Sequence, residues 1–152
     1  YPMNVLMVCL GNICRSPLAE GILKSKVDST QTFVDSAGTA GYHVGNPPDP
    51  RSIKIAHDYG INISNQRCRR FTISDFDSFD LIYVMDKSNY ADITRLARNK
   101  SDAEKVKLIL SEINSNNEEV PDPYHDSDDG FKKVYIMIDK ACTVIAARLE
   151  NK

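Results

Sequence analysis

Residues 4–20 read NVLMVCLGNICRSPLAE, an apolar run followed by a short loop and the start of a helical pattern. The run at residues 4–9 has no polar gaps at helical spacing, which predicts a strand buried on both faces. Ser16 can cap a helix, and Pro17 suits its first turn. A buried strand that leads directly into a helix is typical of a βαβ unit, and such units build a parallel sheet.

The remainder of the chain continues this alternation of strands and helices. The pattern predicts further strands at residues 32–36, 81–85 and 106–110. It also predicts helices at residues 51–59, 88–97 and 131–149, the last with apolar residues three or four positions apart. Residues 118–130 form an acidic stretch with two prolines, which predicts a loop. We therefore predict an α/β fold with a parallel sheet, whose ligands bind at the carboxyl ends of the strands.

The composition is that of one ordinary globular domain. The chain has 152 residues, 41% of them hydrophobic and 26% charged, with a net charge of −2. We assign residues 3–152 to a single domain and leave out Tyr1 and Pro2, which precede Met3 as a cloning remnant would. A mildly acidic chain lacks the basic field that binds nucleic acid. Its longest apolar run, residues 5–10, is far shorter than the ~20 residues of a membrane span.

The chain contains four scattered cysteines, Cys9, Cys14, Cys68 and Cys142. This low density is unlike a secreted disulfide scaffold and predicts a location in the reducing cytoplasm. A structural zinc site needs two close pairs of Cys or His, and only Cys9 and Cys14 are near each other in the sequence. We therefore expect no metal site.

Two cysteines are followed by an arginine six positions later, and their settings differ. Cys142 and Arg148 lie within one predicted helix, where six positions turn the side chains about 120° apart. No loop separates them, so Cys142 is predicted to be a core residue. Cys9 and Arg15, in contrast, enclose a loop between a buried strand and a helix.

The loop between Cys9 and Arg15 can form a phosphate site. Gly11 and Asn12 accept positive φ, so that backbone N–H groups and the helix N-terminus can surround an anion. The same field stabilises a thiolate, which makes Cys9 the candidate nucleophile. The planar guanidinium of Arg15 can hold two phosphoryl oxygens at once, and Ser16 can donate a hydrogen bond to the Cys9 sulfur.

A phenol that leaves phosphorus needs a proton, because its pKa is near 10. Asp122 is held between two prolines in the loop predicted after the fourth strand, so it is a candidate general acid. The alternative is that Asp122 is one ordinary turn carboxylate among its acidic neighbours. The residues alone leave both interpretations open.

Several motifs together resemble one known family. They are CLGNICRSPLAE at residues 9–20, DSAGT at 35–39, NPPD at 46–49, MD at 85–86 and DPY at 122–124. In order and spacing they are similar to the low-molecular-weight protein tyrosine phosphatases, over nearly the whole chain.

The resemblance implies a fold and an activity. The fold is a three-layer arrangement with a four-stranded parallel sheet flanked by helices. The activity is hydrolysis of phosphotyrosine in proteins or peptides, and of small aryl phosphates, without metal or cofactor. Cys9 would attack phosphorus while Asp122 protonates the phenol, and water would then hydrolyse the cysteinyl-phosphate with Asp122 as the base. Inorganic phosphate would be both product and inhibitor.

The resemblance also implies roles around the loop. Residues 10–16 would bind phosphate; they are Leu10, Gly11, Asn12, Ile13, Cys14, Arg15 and Ser16. Asn12 would hold the loop in its strained shape, with Ser16 and Ser36 as supports. The substrate pocket would be formed by Leu10, Ile13, Tyr42 and Tyr124, the two tyrosines acting as walls deep enough to exclude phosphoserine. His43, His57 and His125 are interpreted as surface or rim residues without a chemical role.

One departure concerns the support behind the loop. The family often carries a histidine ahead of its arginine-rich segment, where this chain has Gln66. Gln66 is therefore a possible substitute for that histidine.

Cys14 has two interpretations. It can be a small buried residue in a tight loop, or it can protect the nucleophile by forming a reversible disulfide with oxidised Cys9. The protective role is favoured here.

Three rival functions remain to be weighed. Related arsenate reductases need two further paired cysteines, which Cys68 and Cys142 do not supply, and they lack the DPY motif. Related arginine phosphatases typically have threonine at the position of Ile13, and the apolar Ile13 favours a flat phenyl ring. A phosphopeptide-binding module without activity would have no need for Asp122.

Overall fold

The structure is a computed structural model that describes residues 3–113 and 118–150. The interpretation of Tyr1 and Pro2, and the last two residues of the predicted domain, lie outside the described residues. No helix in the described ranges is long and apolar enough to cross a membrane.

The centre of the fold is a four-stranded sheet in which every pairing is parallel. The strands are β1 (Met3–Cys9), β2 (Thr32–Gly38), β3 (Leu81–Val84) and β4 (Val106–Leu108), in the order β2-β1-β3-β4. Strand β1 is paired on both edges and covered on both faces, and its last five residues are buried. The observed sheet and the helices around it confirm the predicted α/β fold.

Six α-helices and one 3₁₀ helix accompany the sheet within residues 3–113 and 118–150. The α-helices are α1 (Arg15–Lys26), α2 (Pro50–Asp58), α3 (Asp75–Ser78), α4 (Lys87–Thr94), α5 (Lys100–Glu104) and α6 (Asp128–Glu150). The 3₁₀ helix spans Ile109–Glu112. Helix α2 has the features of a well-defined start and end, because Asp49 caps it, Pro50 is its first residue and Gly60 follows it with φ of 81°.

Several predicted boundaries were wrong. Helix α1 begins at Arg15 and Cys14 occupies the cap position, so Ser16 is not the cap. Its hydroxyl is free for the loop instead. Strand β4 is shorter than predicted because residues 109–112 tighten into the 3₁₀ helix, and α6 starts three residues early, inside the predicted loop. Helices α3 and α5 were not predicted, since four or five residues carry too little periodic signal.

Alternate residues of β1 supply two separate cores, one on each face of the sheet. Val5 and Met7 join α1, α2 and α6 on one face. Leu6 and Val8 pack with Phe76 and neighbouring residues on the other face. Cys142 is fully buried in the first core, as predicted. The sheet is thus fixed from both sides, and the carboxyl end of β1 is a rigid base for the loop that follows it.

Candidate active site

The loop from β1 to α1 turns tightly at Asn12, whose φ is 58°. Positive φ is uncommon for a residue other than glycine, and asparagine is one of the types that tolerate it. The end of β2 lies directly against this loop. A Cβ atom at Gly38 would be 2.8 Å from the carbonyl oxygen of Leu10, so only glycine permits the close approach.

Buried hydrogen bonds hold Asn12 in this conformation. Its Nδ2 donates to Ser16 Oγ at 2.8 Å and to Ser36 Oγ at 3.0 Å. Its Oδ1 accepts from the backbone N–H of Arg69 at 3.0 Å. Ser36 in turn donates to the buried carboxylate of Glu20 at 2.6 Å. The side chain of Asn12 thus uses both ends of its amide to fix the loop.

The hydroxyl of Ser16 contacts both Asn12 and Cys9. Ser16 Oγ lies 3.0 Å from Cys9 Sγ. A Cys9 thiolate has no hydrogen to donate, so the hydroxyl of Ser16, which also accepts from the Asn12 amide, is then the donor to the sulfur. The arrangement therefore provides a hydrogen-bond donor to a thiolate at Cys9.

Arg15 is the most buried charged residue of the site, with 3% of its side chain exposed. Its Nη1 donates to Asp86 Oδ2 at 2.6 Å and to the carbonyl oxygen of Val120 at 2.9 Å. Burial by itself lowers the pKa of Arg15, but the charge of Cys9 and the hydrogen bond to Asp86 outweigh it and raise the pKa above its ordinary value. The guanidinium is therefore charged and oriented before any anion binds.

Asp122 lies across the pocket from the loop. Its Oδ2 is 3.7 Å from Arg15 Nη2, and its side chain is 45% exposed. The backbone N–H of Tyr124 donates to Asp122 Oδ1 at 3.0 Å, which leaves Oδ2 directed at the site. A carboxyl group in this position can exchange a proton with a group bound above Cys9.

A cavity of about 390 Å³ brings the predicted residues together. Its lining consists of Cys9, Leu10, Gly11, Ile13, Cys14, Arg15, Tyr42, His43, Asp122, Tyr124 and His125. Tyr42 and Tyr124 are 75% and 41% exposed, as expected for aromatic residues at an entrance. Asn12, Ser16 and Ser36 are buried behind this lining. His43 and His125 line the cavity, whereas His57 lies on α2.

Residues that sequence reasoning missed lie behind the cavity. Glu20 holds Ser36, and Asp86 holds Arg15. Cys68 Sγ donates to the carbonyl oxygen of Asn12 at 2.8 Å, and burial together with the charge of Cys9 raises the pKa of this thiol to about 11. For Glu20 the available signal was a charged residue inside a predicted helix between apolar residues of its buried face. The contact of Cys68 had no such signal.

Gln66, the possible substitute for the family histidine, contacts the helix that follows the loop. Its Nε2 donates to the carbonyl oxygen of Pro17, in the first turn of α1, at 3.1 Å. The amide therefore supports the helix that carries Arg15 and Ser16.

Cys14 is a free buried thiol at the cap position of α1. Burial is the main cause, and the charge of Asp49 the next, of a pKa raised far above the ordinary thiol value. Cys14 is therefore a neutral thiol at physiological pH. Within residues 3–113 and 118–150, no group of three or more His, Cys, Asp or Glu side chains is arranged to hold a metal ion.

Comparisons with known proteins agree on one family. Residues 4–152 match the model of the low molecular weight phosphotyrosine protein phosphatases. A putative low molecular weight protein-tyrosine-phosphatase of Synechocystis is 40% identical over 145 residues, covering 92% of each chain. The human low molecular weight phosphotyrosine protein phosphatase is 40% identical over 144 residues, covering 91% of this chain and 90% of its own.

A solved structure agrees with these relatives. The protein tyrosine phosphatase of Entamoeba histolytica, crystallised with Hepes in the active site, superposes with a TM-score of 0.92 at 34% identity. The match covers 98% of this chain and 97% of that one.

Proposed function

The chain belongs to the low molecular weight phosphotyrosine protein phosphatase family and is a protein tyrosine phosphatase, and we propose that Cys9, Arg15 and Asp122 carry its reaction. One observation supports this proposal above all others. The sulfur of Cys9, the guanidinium of Arg15 and the carboxyl of Asp122 line the same cavity, with Asp122 Oδ2 3.7 Å from Arg15 Nη2.

In the first step, the thiolate of Cys9 attacks phosphorus and forms an S–P bond. The bond between phosphorus and the phenolic oxygen breaks, and Asp122 transfers its proton to that oxygen. Arg15 and the N–H groups of residues 10–16 stabilise the charge on the equatorial phosphoryl oxygens. Ser16 donates a hydrogen bond to the Cys9 thiolate before it attacks.

In the second step, water attacks the phosphorus of the cysteinyl-phosphate. Asp122, now ionised, takes a proton from this water, and the S–P bond breaks to regenerate the Cys9 thiolate. The hydrogen bond from Ser16 stabilises the departing sulfur. Inorganic phosphate is released, and as a dianion held by the same groups it competes with substrate.

The entrance of the cavity selects the substrate. Tyr42 and Tyr124 form aromatic walls, and Leu10 and Ile13 of the phosphate loop add apolar surface. A flat phenyl ring fits such walls, and the depth they create keeps the shorter phosphoserine side chain away from Cys9. The substrates are therefore phosphotyrosine residues of proteins or peptides, together with small aryl phosphates. Nucleic acid is not expected as a partner of a chain with net charge −2.

We place the protein in the cytoplasm, as one domain over residues 3–152. The support for this location is that all four cysteines are free, so that a reducing environment preserves the nucleophile.

We further propose that Cys14 protects Cys9 from oxidation. When peroxide converts Cys9 to a sulfenic acid, the Cys14 sulfur attacks the Cys9 sulfur. The S–S bond forms as the S–O bond of Cys9 breaks, and the thiol proton of Cys14 leaves with the hydroxyl as water. Reductant then restores both thiols. The measurement is recovery of activity by reductant after peroxide treatment: we expect recovery in the wild type and loss of recovery in Cys14→Ser. Equal recovery in both proteins would leave Cys14 as a packing residue.

The test of the proposed function compares matched phosphotyrosine, phosphoserine and phosphoarginine peptides in the presence of chelator and reductant. We expect turnover of phosphotyrosine alone, abolished in Cys9→Ser and reduced about 10²- to 10⁴-fold in Asp122→Asn, as for removal of a general acid. Added inorganic phosphate should inhibit competitively. Preference for phosphoarginine would identify an arginine phosphatase, and reduction of arsenate without peptide turnover would identify an arsenate reductase. Binding without turnover would identify a phosphopeptide module.

A further inference from the structure

Arg51, the second residue of α2, lies between the phosphate loop and the loop that carries Asp122. Its Nη2 donates to the carbonyl oxygen of Tyr124 at 2.7 Å, and its Nη1 donates to that of Asp126 at 3.1 Å. Both carbonyls belong to the loop that carries Asp122. One guanidinium therefore holds two points of this loop, on the carboxyl-terminal side of the acid.

The guanidinium is itself held in one orientation. Its Nε donates to Asp49 Oδ1 and its Nη2 to Asp49 Oδ2, each at 3.1 Å. Its central carbon lies 4.5 Å from the ring centroid of Phe131, which is 1% exposed in the core, and 5.6 Å from that of Tyr124. A carboxylate at the edge and a fixed aromatic ring at the face leave the planar group little freedom.

The start of α2 is in turn fixed to the phosphate loop. The backbone N–H of Asp49 donates to the carbonyl oxygen of Ile13 at 2.8 Å, and Ser52 Oγ donates to that of Cys14 at 3.3 Å. The position of Arg51 is thus set by the same loop that holds the phosphate. A shift of the phosphate loop would be transmitted directly to the guanidinium.

Tyr124 completes the connection to the acid. Its carbonyl oxygen accepts from Arg51, while its N–H donates to Asp122 Oδ1 at 3.0 Å. We propose that Arg51 is a positioning residue that holds the Asp122 carboxyl in register with the phosphate loop, acting through the backbone of Tyr124. This inference rests on the proposed role of Asp122 as general acid. Arg51 does not touch the reacting atoms; it sets the distance over which the proton is transferred.

The experiment uses two substrates that differ in their need for an acid. Phenyl phosphate releases a basic phenolate, whereas a dinitrophenyl phosphate releases a stable one that needs no proton. In Arg51→Met, kcat/KM for phenyl phosphate should fall about 10- to 100-fold, because small displacements of a catalytic group are costly. For the dinitrophenyl ester the fall should be less than about threefold. In Arg51→Lys, kcat/KM for phenyl phosphate should fall nearly as far as in Arg51→Met, since lysine lacks the planar fork.

A double-mutant cycle with Asp122→Asn tests whether Arg51 acts through the acid. In the Asp122→Asn background, Arg51→Met should cause no further loss on phenyl phosphate. Arg98→Met is the matched control, because Arg98 is likewise an arginine held by carboxylates, those of Asp77 and Asp102, but lies outside the cavity lining. Its kcat/KM should equal that of the wild type. Thermal denaturation confirms folding, and Arg51→Gln replaces Arg51→Met if the latter does not fold.

The outcomes distinguish the positioning role of Arg51 from the acid role of Asp122. Equal losses on both substrates, or full additivity with Asp122→Asn, would overturn the positioning role. Normal phenyl phosphate turnover in Arg51→Met beside a defective Asp122→Asn would also overturn it while leaving the acid assignment intact. Normal turnover in Asp122→Asn would instead overturn the proposed acid.

Discussion

At the scale of single residues, the site depends on the direction of a few hydrogen bonds. Asn12 donates both amide hydrogens, to Ser16 and to Ser36, and this leaves each hydroxyl with its own hydrogen to give away. Ser36 gives its hydrogen to Glu20, and Ser16 gives its hydrogen to Cys9. One asparagine amide therefore contacts both hydroxyls, including the one that donates to the Cys9 thiolate.

This assignment predicts the effect of Ser16→Ala. Removing the hydroxyl leaves the Cys9 thiolate without this donor, both as attacking group and as departing group. We expect kcat for p-nitrophenyl phosphate to fall about 10²- to 10³-fold, as for loss of one donor to a developing anion, because charge returns to the sulfur in the second step. Ser25→Ala is the matched control, because its hydroxyl donates to the carbonyl oxygen of Ile22 in the same helix. A change within twofold of this control would contradict the assignment.

The same scale explains which site residues the sequence could reveal. Cys9, Arg15 and Asp122 lie in short motifs with recognisable spacing, so their candidacy could be read directly. Asp86 is 71 positions from the arginine that it holds. Nothing local marks that pairing, since it exists only after β1 and β3 have become neighbours.

At the scale of elements, the start of α2 combines a helix cap with an ion pair. Asp49 Oδ1 accepts from the backbone N–H of Arg51 at 2.8 Å, and its carboxylate also pairs with the Arg51 guanidinium. Burial by itself raises the pKa of Asp49, but the hydrogen bonds from Arg51 outweigh it and the net pKa is lowered. The element is thus stabilised by a charge as well as by a cap.

The lowered pKa predicts a pH-dependent stability. A carboxyl whose folded pKa lies below its unfolded value, about 3.9, stabilises the fold at higher pH and loses this contribution as the pH falls through the folded pKa. Asparagine caps helices as well as aspartate does, so Asp49→Asn isolates the charge. Because Arg51 is one-third exposed, we expect a loss of about 1 kcal/mol in the free energy of unfolding at neutral pH.

Urea unfolding from neutral pH down to about pH 3 measures this contribution. The wild type and Asp49→Asn should differ at neutral pH and converge as Asp49 becomes protonated. Asp128→Asn is the control, because Asp128 pairs with Lys54 at 3.7 Å with both side chains about three-quarters exposed. Parallel curves for the wild type and Asp49→Asn across this range would exclude the linkage.

The positions of long, buried helices and strands were predicted better than those of short or exposed ones. Strand β1 and helix α6 carry long periodic patterns and were found at nearly their true positions. The start of α1 was misplaced because Ser16 is a good cap by type, while the loop uses its hydroxyl for Cys9. The preference of a residue type for a local role, such as capping a helix, is overridden where its side chain has a stronger tertiary partner.

At the scale of the whole molecule, binding of phosphate should stabilise the fold. An anion that binds only the folded chain stabilises it by about 2.7 kcal/mol at 100 times its dissociation constant. We expect the melting temperature of the wild type to rise with phosphate but not with chloride at equal ionic strength. In Arg15→Met this rise should be lost, because the buried guanidinium is the main cation of the loop. An equal rise in Arg15→Met would mean that phosphate binds elsewhere.

The alternation of strands and helices predicted a parallel sheet, but it did not determine the order β2-β1-β3-β4. The strand order depends on which edge of the sheet each new strand joins, and the spacing of elements along the chain does not determine that edge. The central place of β1 is nevertheless what brings the loop after Cys9 between the loops of its neighbours.

The distance along the chain between Cys9 and Asp122 has a consequence for biosynthesis. The phosphate loop leaves the ribosome before the acid and before helix α6, which packs against α1. A nascent chain therefore carries its nucleophile long before it can turn over a substrate. Until α6 is made, the apolar faces of α1 and β1 lack their cover, and this exposed surface makes the incomplete chain prone to aggregation.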